Sequence, residues 1–206
     1  KTLPTHLPEP NEGRLPLVLE AMRHVKAEIG DKTALYGLVT GPLTLASHLR
    51  GTDIFYDTAD DPAYLQSLID YCVQVANRMS ELYIQAGVDV IAIVDPVTSQ
   101  ISPRVFSRYL ERGFTDIFEH IRQLGAYSAF FVCGDASKNI EKMCQTKPDC
   151  IAVDENVDIA FARQITQAHN IALQGNIPLT TCMLLGNQQD NAKYALDLLD
   201  LVGDEG

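Results

Sequence analysis

The sequence predicts an α/β fold in which helices cover a parallel sheet, and three observations support this prediction. Continuous apolar runs of four to seven residues alternate with amphipathic helical patterns along the chain. Polar residues follow all five apolar runs, as they do at the carboxyl ends of strands in a (β/α)8 barrel. The glycine-rich phosphate loop that an open doubly wound sheet usually carries is not present. We therefore expect a (β/α)8 TIM barrel.

The first elements follow the order helix, strand, helix. A stripe of apolar residues at spacings of three and four predicts a helix that Gly30 can close. The stripe consists of Leu15, Val18, Met22, Val25 and Ile29. A buried strand follows over Thr33–Val39, and Gly41 with Pro42 then begins the next helix, because proline fits the first helical position. The acidic run "DTADDP" after that helix is typical of a solvated turn and a helix cap.

The same alternation then repeats four times. A long helix begins at Asp60 or Asp61, carries Pro62 in its first turn and ends at Gly87. The apolar runs that predict the remaining strands are "VDVIAIV", "AYSAFFV", "CIAV" and "IALQ". The helical patterns between and after them cover Ser102–Leu124, Ile140–Cys144, Ile159–Ile165 and Ala192–Leu199.

The polar residues that follow the strands locate the candidate site. They are Thr40–Gly41, Asp95, Cys133–Asp135, Asp154–Glu155 and Gln174–Asn176. A complete barrel has eight strands and about 250 residues, so five strands in 206 residues predict an incomplete barrel. We assign residues 1–206 to a single partial barrel domain, with residues 1–13 as a loose leader.

Composition excludes several classes of protein. The chain is 46% hydrophobic and 21% charged, as in ordinary soluble globular proteins, and its net charge of -11 argues against a nucleic-acid partner. No apolar window reaches the roughly 18 residues of a membrane span, and the proline-rich start does not resemble a signal peptide. The five cysteines form no C-x-x-C pair, which favours free thiols and a cytoplasmic location.

Five stretches together carry a family resemblance. They are "LPLVLEAMRHVKAEIGDKTALYGLVTGPLTLASHLRG", "AGVDVIAIVDPVTSQISPRVFSRYL", "FVCGD", "VDENVDI" and "LQGNIPLTTCMLLGN". In this order they resemble the uroporphyrinogen decarboxylase-like superfamily over nearly the whole chain. The resemblance implies a TIM barrel of the uroporphyrinogen decarboxylase type, with a deep cleft at the carboxyl ends of the strands.

The superfamily contains two functional branches. Its decarboxylases remove acetate carboxyls from a tetrapyrrole without metal or cofactor, using an aspartate that corresponds to Asp95 and arginines that would precede Lys1. Its cobamide-dependent methyltransferases, of the methylcobalamin:coenzyme M type, bind zinc through an H-x-C-G motif and a cysteine that would fall beyond Gly206. The wording "DPVTSQISP" and "CG" is similar to the methyltransferase branch. Cys133 is then the surviving metal ligand, whereas Phe131 stands at the position of the zinc histidine.

Each candidate residue has a functional and a structural interpretation. Asp95 could orient or protonate a substrate, or it could accept backbone N–H bonds in the turn before Pro96. Cys133 could bind metal or pack as a small buried thiol. Asp154 and Glu155 could act in acid–base chemistry or metal binding, or could cap a helix. The residues predicted to contact substrate are Gly41, Pro42, Gln174 and Asn176, of which Asn176 could simply shape a loop.

Three functions remain open from the sequence. The first is a corrinoid-dependent methyltransferase that passes a methyl group to a thiol, with zinc as a possible cofactor. The second is a cofactor-free uroporphyrinogen decarboxylase, and the third is a non-catalytic module that binds a corrinoid or a corrinoid protein. The uncovered strand edges of a partial barrel would also favour association with a second copy.

Overall fold

The structure is a computed structural model, and it describes residues 2–203. The remaining four residues of the predicted domain, residue 1 and residues 204–206, lie outside the described part. Residues 2–13 contain no helix or strand. Even so, they are attached to the body of the protein, because the Tyr71 hydroxyl donates to the His6 carbonyl at 2.7 Å and Arg78 Nε donates to the Pro8 carbonyl at 3.2 Å.

Five strands form one parallel sheet in the order β1-β2-β3-β4-β5. They are β1 (Tyr36–Thr40), β2 (Val90–Val94), β3 (Tyr127–Val132), β4 (Cys150–Val153) and β5 (Ala172–Gln174). The α-helices are α1 (Leu15–Ile29), α2 (Pro42–Arg50), α3 (Asp53–Asp60), α4 (Pro62–Gln85), α5 (Pro103–Tyr109), α6 (Glu111–Gln123), α7 (Ile140–Gln145), α8 (Ile159–Ala168) and α9 (Gln188–Val202). The prediction of a parallel α/β barrel that is incomplete is therefore confirmed. Within residues 2–203 no helix is both long and apolar enough to span a bilayer.

The helices cover the outer face of the sheet, and the main core lies between them. Phe130 on β3 packs there against the rings of Phe106, Phe114 and Phe118. The inner, concave face is partly open, with Leu38 at 64% and Tyr127 at 69% exposure. A large exposed apolar surface favours association, and self-association through this face remains a prediction.

Two local expectations were wrong. The acidic run was expected to be a solvated turn and a helix cap. Asp61 does cap α4, but the residues before it belong to α3, where the Asp57 side chain is buried. Arg50 makes this burial possible, because its Nε and Nη2 atoms donate to Asp57 at 2.7 and 3.2 Å and neutralise the carboxylate. The helical region from Ser102 to Leu124 is interrupted at Leu110, which separates α5 from α6.

Candidate functional site

The carboxyl ends of the strands form a row of side chains on the concave face. Parallel pairing places Thr40, Val94, Phe131, Ala152 and Gln174 in register across the five strands. Each predicted site residue lies in this row or a few residues beyond it along the chain, as expected for a barrel. The structure nevertheless divides these residues into two groups with different surroundings.

The first group consists of Asp95, Gly41 and Pro42, and the Asp95 side chain is completely enclosed. Its carboxylate accepts the backbone N–H groups of Leu43 and Thr44 at 2.9 and 3.0 Å, and the Thr44 hydroxyl at 2.5 Å. The donors are the first free N–H groups of α2, so Asp95 caps a helix that precedes it by about fifty residues. Burial raises the pKa of Asp95 to about 6, whereas the hydrogen bonds from Thr44 and Leu43 oppose that rise.

Gly41 and Pro42 make room for this cap. A Cβ atom on Gly41 would lie 2.4 Å from the Asp95 Cβ, so any side chain there would collide with Asp95. Pro42 is buried at the start of α2. Both residues thus support Asp95, and the predicted contacts of all three with substrate remain untested.

The second group surrounds the ends of β3, β4 and β5. Asp154 accepts backbone N–H bonds from Gly134 and Asn156 and a side-chain bond from the Asn156 amide. Burial tends to raise the pKa of Asp154, but these hydrogen bonds outweigh it and keep the pKa below its usual value. Burial, with a smaller effect of the Asp154 charge, raises the pKa of the Cys133 thiol. Cys133 is therefore a neutral thiol beside an ionised carboxylate.

Asn176 and Glu155 join the loops that follow β4 and β5. The Asn176 amide donates to the carbonyls of Asp154 and Val157 at 3.1 and 2.7 Å. The exposed Glu155 carboxylate accepts the backbone N–H of Leu179. Asn176 therefore shapes a loop here, whereas Glu155 keeps an accessible carboxylate.

A cavity of about 360 Å³ opens between these loops. Its lining residues are Phe131, Val153, Asp154, Glu155, Gln174, Gly175, Asn176, Ile177, Leu179 and Met183. A smaller cavity of about 240 Å³ lies against the concave face and shares Phe131, Val153, Gln174 and Gly175 with the first. The two cavities adjoin along the sheet, and the larger one has the size of a small-molecule site.

The residues present do not fit a catalytic zinc centre, which normally uses three protein ligands. Among residues 2–203 no three His, Cys, Asp or Glu side chains are grouped so that they could hold a metal ion. Phe131 offers no donor atom, and Asp154 is already hydrogen-bonded to Gly134 and Asn156. We therefore assign no zinc-dependent step to this part of the chain.

We expect the chain, purified without chelators, to contain no more than about 0.1 zinc per molecule, because three ligands do not converge. A Cys133→Ala variant should give the same value in elemental analysis. About one zinc per chain in the unmodified protein, lost in the variant, would instead identify Cys133 as a ligand.

The fold and the cavity define a protein of the (β/α)-barrel class with a candidate small-molecule site at the carboxyl ends of the strands. Residues 4–205 match the family model described as uroporphyrinogen decarboxylase (URO-D). The chain belongs to this family, as its sequence motifs predict.

Three comparisons illustrate the relationship. A methylcobamide:CoM methyltransferase of Methanosarcina acetivorans is 26% identical over 193 residues, which are 93% of this chain and 56% of the relative. A uroporphyrinogen decarboxylase of Nostoc punctiforme is 25% identical over 203 residues, 95% of this chain and 57% of the relative. A solved structure of a methyltransferase from Methanosarcina mazei has a TM-score of 0.86 at 22% identity, covers 93% of this chain and 57% of that chain, and shows the same fold. The chain thus spans little more than half the length of these relatives.

Sequence reasoning missed several residues of the site. Leu43 and Thr44, at the start of α2, donate hydrogen bonds to the Asp95 carboxylate. Ile177, Leu179 and Met183 line the cavity. The run "NIPLTTCMLLG" after the fifth strand is unusually apolar for a loop. That apolar composition is the sequence signal that could have identified Leu179 and Met183 as residues of the site.

Proposed function

We propose that this chain is part of a methyltransferase that passes a methyl group from a corrinoid to a small thiol acceptor. The observation that carries the proposal is the cavity at the carboxyl ends of β3–β5, together with the apolar surface beside its mouth. The methyltransferase relatives within this family support the same activity. The donor reaches the site as a corrinoid molecule or on a corrinoid protein.

The apolar surface lies on the π-helical turn Leu179–Leu184 and on Leu185, the residue that follows it. Leu179, Met183, Leu184 and Leu185 are between 58% and 75% exposed. Contiguous exposed apolar side chains of this kind mark interaction sites. A corrinoid ring is too large for a cavity of about 360 Å³, so we place the acceptor inside the cavity and the corrinoid across its mouth, against these side chains.

The transfer requires a thiolate close to the donor. The acceptor sulfur forms a bond to the methyl carbon while the bond between cobalt and carbon breaks, and the electron pair of that bond remains on the corrinoid. Confinement in the cavity supplies proximity and alignment. Glu155 is the accessible carboxylate that can accept the thiol proton, directly or through water.

The decarboxylase alternative has less support in the geometry. Asp95, the residue that would act on the tetrapyrrole, is completely enclosed.

We expect the chain to accelerate loss of the methyl group from methylcobalamin in the presence of a small thiol. A Leu184→Asp variant should raise the KM for methylcobalamin about tenfold, because a charge replaces apolar surface that the corrinoid covers. The corrinoid absorbance spectrum measures the rate at which methylcobalamin loses its methyl group.

The matched control is Leu17→Asp on α1, where the leucine is 67% exposed and distant in sequence from the site. Its KM should equal that of the unmodified chain. Corrinoid binding without methyl loss would favour the non-catalytic module, whereas an equal effect of both variants would contradict the proposed docking surface.

A further inference from the structure

A polar groove lies on the helical layer outside the sheet, between α4 on one side and α5 and α6 on the other. Its volume is about 540 Å³, which is in the range of small-molecule sites. Among the described residues, it shares no lining side chain with the cavity at the ends of β3–β5. A ligand in this groove would therefore occupy a second site.

This chain supplies both walls of the groove. α4 packs against α2 as well as α6, and α6 packs in turn against α7. Gly113 allows α4 and α6 to approach closely, because a Cβ atom on it would lie 2.7 Å from the Val73 Cγ2 atom. Since further helices of this chain flank both walls, the groove does not lie at an open edge of the partial barrel.

The wall formed by α5 and α6 carries an available cation. Arg108 forms no ion pair within residues 2–203, and its guanidinium lies 5.0 Å from the centroid of the buried Tyr109 ring. Contact with an aromatic face positions the guanidinium without neutralising its charge. Arg112, about one turn further along the chain, is 3.8 Å from the Asp116 carboxylate. The Arg108 guanidinium is thus available to a carboxylate, which it can bind through two parallel hydrogen bonds.

The wall formed by α4 carries the opposite charge. The exposed Asp70 carboxylate accepts a hydrogen bond from Gln66 Nε2 at 2.8 Å through its Oδ1 atom, and it forms no ion pair within the described residues. Its Oδ2 atom is therefore available to an ammonium group. The Asn77 amide lines the same wall, and its Oδ1 atom is enclosed without a hydrogen-bond partner. Its Nδ2 atom is then the donor that a ligand can reach.

A ligand with a single charge does not match these two walls. An anion that pairs with Arg108 would also face Asp70 and Asp116, whereas a cation that pairs with Asp70 would face Arg108 and Arg112. A ligand with opposite charges at its two ends complements both walls. It has to reach between neighbouring packed helices, whose axes lie about 8 to 10 Å apart.

We propose that this groove binds a short peptide with both termini free. The peptide carboxylate pairs with Arg108, its ammonium group pairs with Asp70, and a carbonyl oxygen of the peptide accepts a hydrogen bond from Asn77 Nδ2. An extended dipeptide places its charged ends about 7 Å apart, and its amino terminus is mostly protonated near neutral pH. This binding is separate from the proposed methyl transfer and does not depend on it.

The test compares three probes that differ only at their ends. Glycylglycine carries both charges, N-acetylglycylglycine lacks the ammonium group, and glycylglycine amide lacks the carboxylate. We expect titration calorimetry with the full chain to give a Kd below about 1 mM for glycylglycine. Each blocked probe should bind about fivefold more weakly, since one exposed charge pair contributes on this scale.

Two variants assign the two ends of the peptide. Arg108→Gln should reduce the preference for glycylglycine over its amide to less than about twofold, and Asp70→Asn should do the same for the preference over the N-acetyl probe. Arg23→Gln and Asp31→Asn make the same replacements at exposed positions elsewhere and should change neither preference. Unchanged melting temperatures would establish that all four variants are folded.

Three results would overturn the inference. They are equal binding of the blocked and unblocked probes, no binding of glycylglycine at concentrations up to about 10 mM, and a preference that survives in Arg108→Gln and Asp70→Asn. Tighter binding of the N-acetyl probe would identify an anion site and would overturn it as well. No corrinoid is present in these titrations, so their outcome is independent of methyl transfer.

Discussion

Replacement of Asp95 by alanine is expected to lower the free energy of unfolding by about 3 kcal/mol, because three enclosed donors lose their acceptor. These donors are the N–H groups of Leu43 and Thr44 and the Thr44 hydroxyl. Chemical denaturation of the unmodified chain and the variant measures the difference. The variant should keep the fold, because the core between helices and sheet does not involve this carboxylate.

The pH dependence of the free energy of unfolding separates the effect of the Asp95 charge from the effect of its hydrogen bonds. Its pKa is about 6 in the folded chain against a reference value of 3.8, so the folded state holds the proton more tightly than the unfolded state. The resulting stability is fully present below about pH 4 and is lost as the pH rises through about 6, with a total on the order of 3 kcal/mol.

Asp95→Asn is the matched control, since an amide does not titrate in this range. The unmodified chain should lose stability relative to Asp95→Asn as the pH rises from about 4 to above 6. A difference that stays constant over this interval would mean that Asp95 keeps an ordinary pKa. A gain in the stability of the unmodified chain relative to Asp95→Asn over this interval would mean that the folded state stabilises the charged carboxylate.

Replacement of Phe114 by alanine is expected to destabilise the fold by about 3 to 5 kcal/mol, the usual cost of a large cavity in a well-packed core. Phe114 is completely buried, and its ring centroid lies 5.8 Å from Phe106, 6.0 Å from Phe118 and 4.2 Å from Phe130. The substitution therefore removes one member of three aromatic pairs as well as buried apolar area.

Phe161 on α8 provides the control, because its side chain is 42% exposed. Phe161→Ala should change the free energy of unfolding by at most about 1 kcal/mol. Comparable effects of the two substitutions would show that the aromatic cluster is not the centre of the core.

Loss of the Phe114 ring should also weaken ligand binding, since Phe130 precedes Phe131 on the same strand.

The sequence predicted the parts of the fold that depend on local pattern. Apolar runs located all five strands, and for β4 the run "CIAV" coincides with the observed strand. The α3 helix escaped prediction because its acidic residues resemble a solvated turn. The pairing of Asp57 with Arg50, seven residues earlier, helps to explain how that carboxylate is buried.

The candidate site was predictable in position but not in its internal contacts. The rule that polar residues follow barrel strands correctly placed Asp154 and Glu155 beside a cavity. It could not distinguish them from Asp95, because the donors that enclose Asp95 lie 51 and 52 residues earlier in the chain. The contact of Glu155 with Leu179 likewise spans 24 residues. Such pairings depend on the three-dimensional arrangement and leave no local signal.

The consecutive strand order also determines how the molecule can assemble during synthesis. Because each strand pairs with the strand immediately before it in the chain, the sheet can grow at one edge as the nascent chain emerges. Register partners on neighbouring strands lie between 21 residues (Ala129 and Cys150) and 54 residues (Tyr36 and Val90) apart in the chain, and the entropic cost of closing such loops grows only slowly with their length. We therefore expect a strand with its following helices to be the unit of folding, and a ribosome-bound chain that has emerged from the exit tunnel as far as Gln85 should already hold α4 against β1.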